Sequence, residues 1–95
     1  MAIATISPST GKLISSFCAF TGQEVRQKLG CARDAFVHHR VTTFAERAGK
    51  MNEAARILET EKASFGKLMT LEMGKPVTAA MEEAVKSAWV CRYYA

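Results

Sequence analysis

Long apolar runs are missing from this chain. No stretch approaches the roughly 18 consecutive apolar residues that a membrane-spanning helix needs. The opening MAIATISPSTGK has no positive region ahead of an apolar core, so a secretory leader is not expected either. Histidine is nearly absent: His38 and His39 are neighbours, their side chains diverge, and no third imidazole completes a metal shell or a hydrolytic triad. Their expected place is near a helix end. Cysteine is scarce and odd in number, and Cys18, Cys31 and Cys91 fit neither a disulfide framework nor a zinc spacing. Free thiols in a reducing cytoplasm, each packed as a small buried hydrophobe, are the expectation. Charge of one sign never gathers. The 13 basic and 9 acidic residues leave +4, but no three consecutive residues carry like charge, so nucleic acid is not an expected partner.

What is present is the make-up of an ordinary globular fold: 48% apolar residues in 95, one small domain or a piece of a larger one. The opening alternates weakly: Ile3 and Ile6 precede the turn-rich Ser7-Pro8-Ser9-Thr10-Gly11, after which Leu13, Ser15 and Phe17 face one way and Ile14, Ser16 and Cys18 the other. This predicts a hairpin, which alone is marginal in water and needs something to lie against. Thr21-Gly22-Gln23-Glu24 and Thr43-Phe44-Ala45-Glu46 each spell a capping box, where a threonine oxygen and a glutamate three residues on exchange hydrogen bonds with the free N–H groups of a helix start. The first helix carries Val25, Leu29, Ala32 and Phe36 as one apolar stripe, and the second carries Phe44, Ala48, Met51, Ala55 and Leu58. Glu46 and Lys50 form an outward i,i+4 pair.

A third helix is expected from about Glu61, with Phe65, Leu68, Met69 and Met73 on it. The stretch LEMGKP, residues 71 to 76, then raises a choice between phosphate loop, lysine site and helix boundary. A P-loop needs a glycine five positions before its Gly-Lys and a hydroxyl residue after it; Met69 and Pro76 stand there, and the other Gly-Lys, Gly11-Lys12, fails with Ile6 and Leu13. Gly74 instead suits the left-handed position after a helix, and Pro76 the first turn of the next. That last helix has two apolar stripes: Val77, Met81, Ala84, Ala88, Cys91 and Ala95 on one, Val85, Trp89 and Tyr93 on the other. A helix apolar on two sides is covered on two sides. It reaches Arg92-Tyr93-Tyr94-Ala95 with no stop signal, so the sequence is expected to continue. Glu82 and Glu83 diverge, and Glu82 has Lys86 at i+4, so both are expected as solvated charges. Nothing here assembles a catalytic site from the residues alone.

In order and spacing, Ser7-Pro8-Ser9-Thr10-Gly11-Lys12, Phe44-Ala45-Glu46-Arg47-Ala48, Met69-Thr70-Leu71-Glu72-Met73-Gly74-Lys75-Pro76 and Arg92-Tyr93-Tyr94-Ala95 resemble the beginning of an aldehyde dehydrogenase, most closely of the short succinate-semialdehyde type. The resemblance spans the whole chain. It implies an α/β enzyme family that is homo-oligomeric and oxidises a small-molecule aldehyde, here succinic semialdehyde, to the acid with NAD or NADP. Residues 1–95 would be the N-terminal part of its cofactor-binding domain, a β-hairpin and about four α-helices, with catalytic and oligomerisation parts absent. The family's Glu-Leu-Gly-Gly and Gly-Gln-x-Cys segments do not occur, so no cysteine here inherits the nucleophile role and no cofactor-binding residue is assigned. By the same match, Lys86, Trp89, Val90 and Tyr93 lie near the substrate entrance, and a cationic Lys86 favours an acidic semialdehyde.

Departures from the family pattern are Ser7 and Ser9, where Asn and Ala are usual, and His39, where a tryptophan commonly packs. An imidazole in place of a buried indole costs roughly 1 to 3 kcal/mol. Gly30 and Gly49 within helices cost up to about 1 kcal/mol each relative to Ala. The expected role is therefore part of a dehydrogenase not competent alone. The alternative is a small helical interaction module that presents Val85, Trp89 and Tyr93 to a partner such as a full-length homologue.

Overall fold

In the computed structural model, which describes residues 3–95, the chain forms β1 (Ile3–Ile6), β2 (Leu13–Phe17), α1 (Gly22–His39), α2 (Phe44–Thr60), α3 (Lys62–Met73) and α4 (Val77–Tyr94). The two strands pair antiparallel, from Ile3 opposite Phe17 to Thr5 opposite Ser15; the register then shifts, so that Ile6 faces Leu13. The loop closes through Ser7 N–H to Lys12 O (2.9 Å) and Gly11 N–H to Ser7 O (2.8 Å). Gly11 takes φ +67° there, a value that costs a residue without Cβ nothing.

Both expected capping boxes form. Thr21 N–H donates to Glu24 Oε2 at 2.7 Å while Glu24 N–H donates to Thr21 Oγ1 at 3.2 Å, and Thr43 and Glu46 repeat the arrangement at the same two distances. Glu46 thus spends its carboxylate on the cap, and Lys50 adds only a minor attraction. His38 and His39 fall in the last turn of α1. His39 is exposed, so its ring fills no buried indole site in this chain. Its carbonyl accepts from Thr42 Oγ1 (2.7 Å) and Arg47 Nη2 (3.2 Å), which hold the turn into α2.

α4 is the central helix: it packs against both α2 and α3, which touch each other much less, and neither the hairpin nor α1 packs extensively on any helix. The contact surfaces are made of small residues. Ala55, Ala80, Ala84 and Ala88 are the buried apolar residues, and no large side chain among the described residues is fully buried. Gly66 is buried as well. The burial therefore follows Ala80, Ala84 and Ala88, while Val77 at the head of the expected stripe remains half-exposed. The stripe on α1 is in the open along its whole length, and Phe44 at the start of α2 is 87% exposed.

The result is a slab 47 × 38 × 15 Å with a radius of gyration of 17.4 Å. A compact chain of this length has a radius of gyration near 12 Å. The chain is therefore flat and extended compared with a compact domain of its length. No helix is long and apolar enough to cross a membrane among the described residues.

Candidate functional site

The site is built on the outer face of α4, and the LEMGKP turn aims that helix. Gly74 takes φ +73° and its N–H returns to Thr70 O at 3.0 Å, ending α3. Pro76 then caps α4 with extended backbone, φ −54° and ψ 133°, one residue before the position expected for it. Lys75 pairs with Glu83, so Glu83 ties the turn to the second turn of α4 and is not merely a solvated charge. At the far end Arg92 forms an ion pair with Glu59 of α2, Nη2 donating to Oε2 at 2.7 Å.

With Ala80, Ala84 and Ala88 turned inward, helical geometry sends Glu82, Lys86, Trp89, Val90 and Tyr93 outward. Two adjoining hollows lie on that side. The larger, about 640 Å³, is lined by Lys62 of α3 and by Thr78, Met81, Glu82, Val85, Lys86 and Trp89. The second, about 460 Å³, is lined by Lys86, Trp89, Val90, Tyr93 and Tyr94. The structure thus gathers all four residues singled out from the sequence, Lys86, Trp89, Val90 and Tyr93, around one depression. It adds Lys62, which the sequence reading missed. Its place follows from helix register, which no local pattern records: Gly66 packs on Met81, and in an antiparallel helix pair a step of four down one helix and four up the other places Lys62 across from Val85.

Two ammonium groups and one carboxylate, Glu82, therefore stand above an apolar floor of Met81, Val85 and Trp89. Glu82 and Lys86 do not pair with each other among the described residues. Such a surface suits a small ligand with an aliphatic body and an anionic end. The rings of Tyr93 and Tyr94 meet edge-on with centroids 5.0 Å apart and border the second hollow.

No thiol faces these hollows. Cys18 and Cys31 are exposed and Cys91 is half-buried, so the expectation of three buried cysteines fails for the first two. The reason is local: Cys18 follows β2 and Cys31 lies on α1, and neither element packs extensively on a helix. All three are free. No group of three or more metal-ligating side chains occurs among the described residues. A dinucleotide pyrophosphate is held where a parallel strand turns through glycines into a helix whose first N–H groups are free. Here the sheet is a hairpin, the glycines with positive φ serve a hairpin loop and a helix stop, and the start of α1 is occupied by its own glutamate. The described residues do not fit that group.

The sequence model of the aldehyde dehydrogenase family matches residues 1–95. A probable succinate-semialdehyde dehydrogenase [NADP(+)] of Synechocystis sp. is 45% identical over 95 residues, covering 100% of this chain and 21% of its own length. Succinate-semialdehyde dehydrogenase [NADP(+)] 1 of Mycobacterium tuberculosis has the same identity and coverage. Among solved structures, the NADP-dependent glyceraldehyde-3-phosphate dehydrogenase of Bacillus halodurans C-125, complexed with NADP, superposes with a TM-score of 0.89 at 27% identity, covering 98% of this chain and 20% of that one. The chain spans about a fifth of the length of the curated relatives it matches.

Proposed function

The chain belongs to the aldehyde dehydrogenase family, and from that premise we propose that it serves as the N-terminal part of an NADP-dependent enzyme oxidising succinic semialdehyde to succinate. The observation that carries this reading is the identity running through the whole chain with relatives named for that reaction and that cofactor. The hollow on α4 supports it. Lys86 offers an ammonium to the carboxylate at the far end of the substrate, Trp89 and Val90 cover the methylenes, and Tyr93 narrows the opening. These residues bind and orient the aldehyde and exclude water from its chain. In this reading the thiol that attacks the aldehyde is supplied from outside these 95 residues, and the chain serves as a part not competent alone.

The test is a chimaera in which residues 1–95 replace the matching segment of the Synechocystis relative. It should reduce NADP with succinic semialdehyde. Lys86→Ala in that chimaera should raise KM for succinic semialdehyde roughly tenfold, the worth of a hydrogen bond between charged groups. KM for butanal, of equal length and no charge, should stay put. A chimaera that is soluble but inactive, or equal changes for the two aldehydes, removes the proposed role. A second reading, a helical module that binds a full-length homologue, is favoured by the exposure of Trp89 (64%) and Tyr93 (82%).

A further inference from the structure

The buried residues where α4 packs on α2 and α3 are Ala55, Gly66, Ala80, Ala84 and Ala88, and no large side chain among the described residues is fully buried. Such a seam brings helices close but lacks the interlocking ridges that fix how one helix is turned about its axis. That turn is left to polar contacts. Among the described residues, one side-chain pair makes such a contact between α4 and another helix: Arg92 with Glu59 of α2. Lys75–Glu83, the other ion pair of α4, reaches only the turn that precedes the helix. The Arg92 contact is a fork on a fork, Nη1 donating to Oε1 and Nη2 to Oε2, the second at 2.7 Å. Two parallel bonds fix a direction as well as a distance.

Everything that lines the smaller hollow, Lys86, Trp89, Val90, Tyr93 and Tyr94, stands on α4. The hollow therefore moves as one body with that helix. Arg92 sits among these residues, one before Tyr93 and three after Trp89. We propose that Glu59, which lines neither hollow, is a positioning residue for the acid end of the aldehyde: by gripping Arg92 it sets the rotation of α4 and with it the aim of Lys86. The inference deepens the reading above and rests on it. Both side chains of the pair are partly exposed, at 43% and 37%, so it adds little to stability. Its effect is on geometry.

The experiment uses the chimaera that carries residues 1–95 and takes the ratio of kcat/KM for succinic semialdehyde to kcat/KM for butanal. Loss of folded enzyme lowers both values alike and leaves their ratio in place. Glu59→Ala removes a negative charge and frees the Arg92 guanidinium, which by charge alone raises the ratio in favour of the anionic aldehyde. A misaimed Lys86 lowers it. The expected result is a fall of about tenfold, within the roughly 100-fold that a misplacement of about 1 Å can cost. Glu59→Gln, which still offers the fork an acceptor, should keep more of the ratio than Glu59→Ala. Arg92→Lys, which keeps the charge and loses the fork, should lower the ratio too, and it decides the matter if the Glu59→Ala chimaera does not fold. An unchanged or raised ratio in the deciding variant overturns the positioning role. Lys86→Ala separates the two readings: a ratio that falls with Lys86→Ala and holds with Glu59→Ala keeps the hollow as the acid site and removes Glu59 from its support. A ratio indifferent to both, or an inactive chimaera, removes the hollow reading and this one with it.

Discussion

Gly66 of α3 lies so close to Met81 of α4 that a Cβ built on it would stand 2.7 Å from Met81 Cγ and 3.2 Å from the Met81 backbone nitrogen. Gly66→Ala should therefore lower stability, because crowding in a packed interface costs about 1–3 kcal/mol and outweighs a propensity gain of up to about 1 kcal/mol. Gly30 and Gly49, with nothing within 4 Å of an added Cβ, keep only the gain. Urea melts of the three alanine variants should move in opposite directions. Equal stabilisation by all three shows that α3 and α4 do not approach so closely.

Acid should loosen the helix starts. The Glu24 carboxyl is held below its usual value near 4.5 by the Thr21 backbone N–H and then the Thr21 hydroxyl, and Glu46 is held down in the same way by Thr43. A group whose pKa is depressed by folding contributes stability that is present above the unfolded value and lost as pH falls through the folded one. Helical ellipticity should thus be flat from pH 7 to about 5 and fall below about 4.5. Glu24→Gln/Glu46→Gln should shrink that fall. A residue of it should remain, since Glu53 and Glu59 are lowered by Arg56 and Arg92. A profile unchanged by the double variant argues against both caps.

At the LEMGKP turn, Gly74→Ala meets two penalties. Its φ of +73° disfavours a side chain, by about 1–2 kcal/mol, and an added Cβ would sit 3.1 Å from Pro8 Cγ. Asn tolerates the left-handed backbone better, so stability should rank Gly74, then Asn, then Ala. Pro8→Ala should recover part of the loss. Independent effects at positions 8 and 74 in a double-mutant cycle show that the hairpin loop does not rest on this turn.

Trp89 is the one tryptophan in the sequence, and it faces outward. In the free chain its emission should be that of a wet indole, readily quenched by acrylamide. A blue-shifted indole in the free chain contradicts the open face on α4.

Local features were legible in the sequence, and depth was not. The pairs Thr21 with Glu24 and Thr43 with Glu46 fixed two helix starts, because capping chemistry acts over three residues. Gly74 and Pro76 marked the boundary between α3 and α4 for a similarly local reason. By contrast, Leu29 and Phe36 have the spacing of buried residues and are exposed; periodicity says which side of a helix wants cover, not where the cover comes from. The ion pair of Arg92 with Glu59, 33 residues apart, and the meeting of Lys62 with the α4 hollow both depend on helix register, which no local pattern records. The interior was legible in part: Ala55, Ala84 and Ala88 lie on the expected stripes and are buried. Close-packed helices also select Ala80 and Gly66, residues that a search for large hydrophobes passes over. Of the site, Lys86, Trp89, Val90 and Tyr93 were reachable through the family resemblance and the outer stripe of α4.

The central position of α4 between α2 and α3 carries a consequence for the order of assembly. Those three helices are consecutive in the chain, and contacts between near neighbours in sequence form early and fast. The α2–α4 unit is thus the part able to acquire its shape while a ribosome is still adding residues, and the Arg92–Glu59 pair fastens it last. The hairpin and α1 come first in synthesis but have no early neighbour to settle on. Pulsed hydrogen exchange during refolding should accordingly protect amides of α2 to α4 before those of α1, so that the first helix made is the last to be secured.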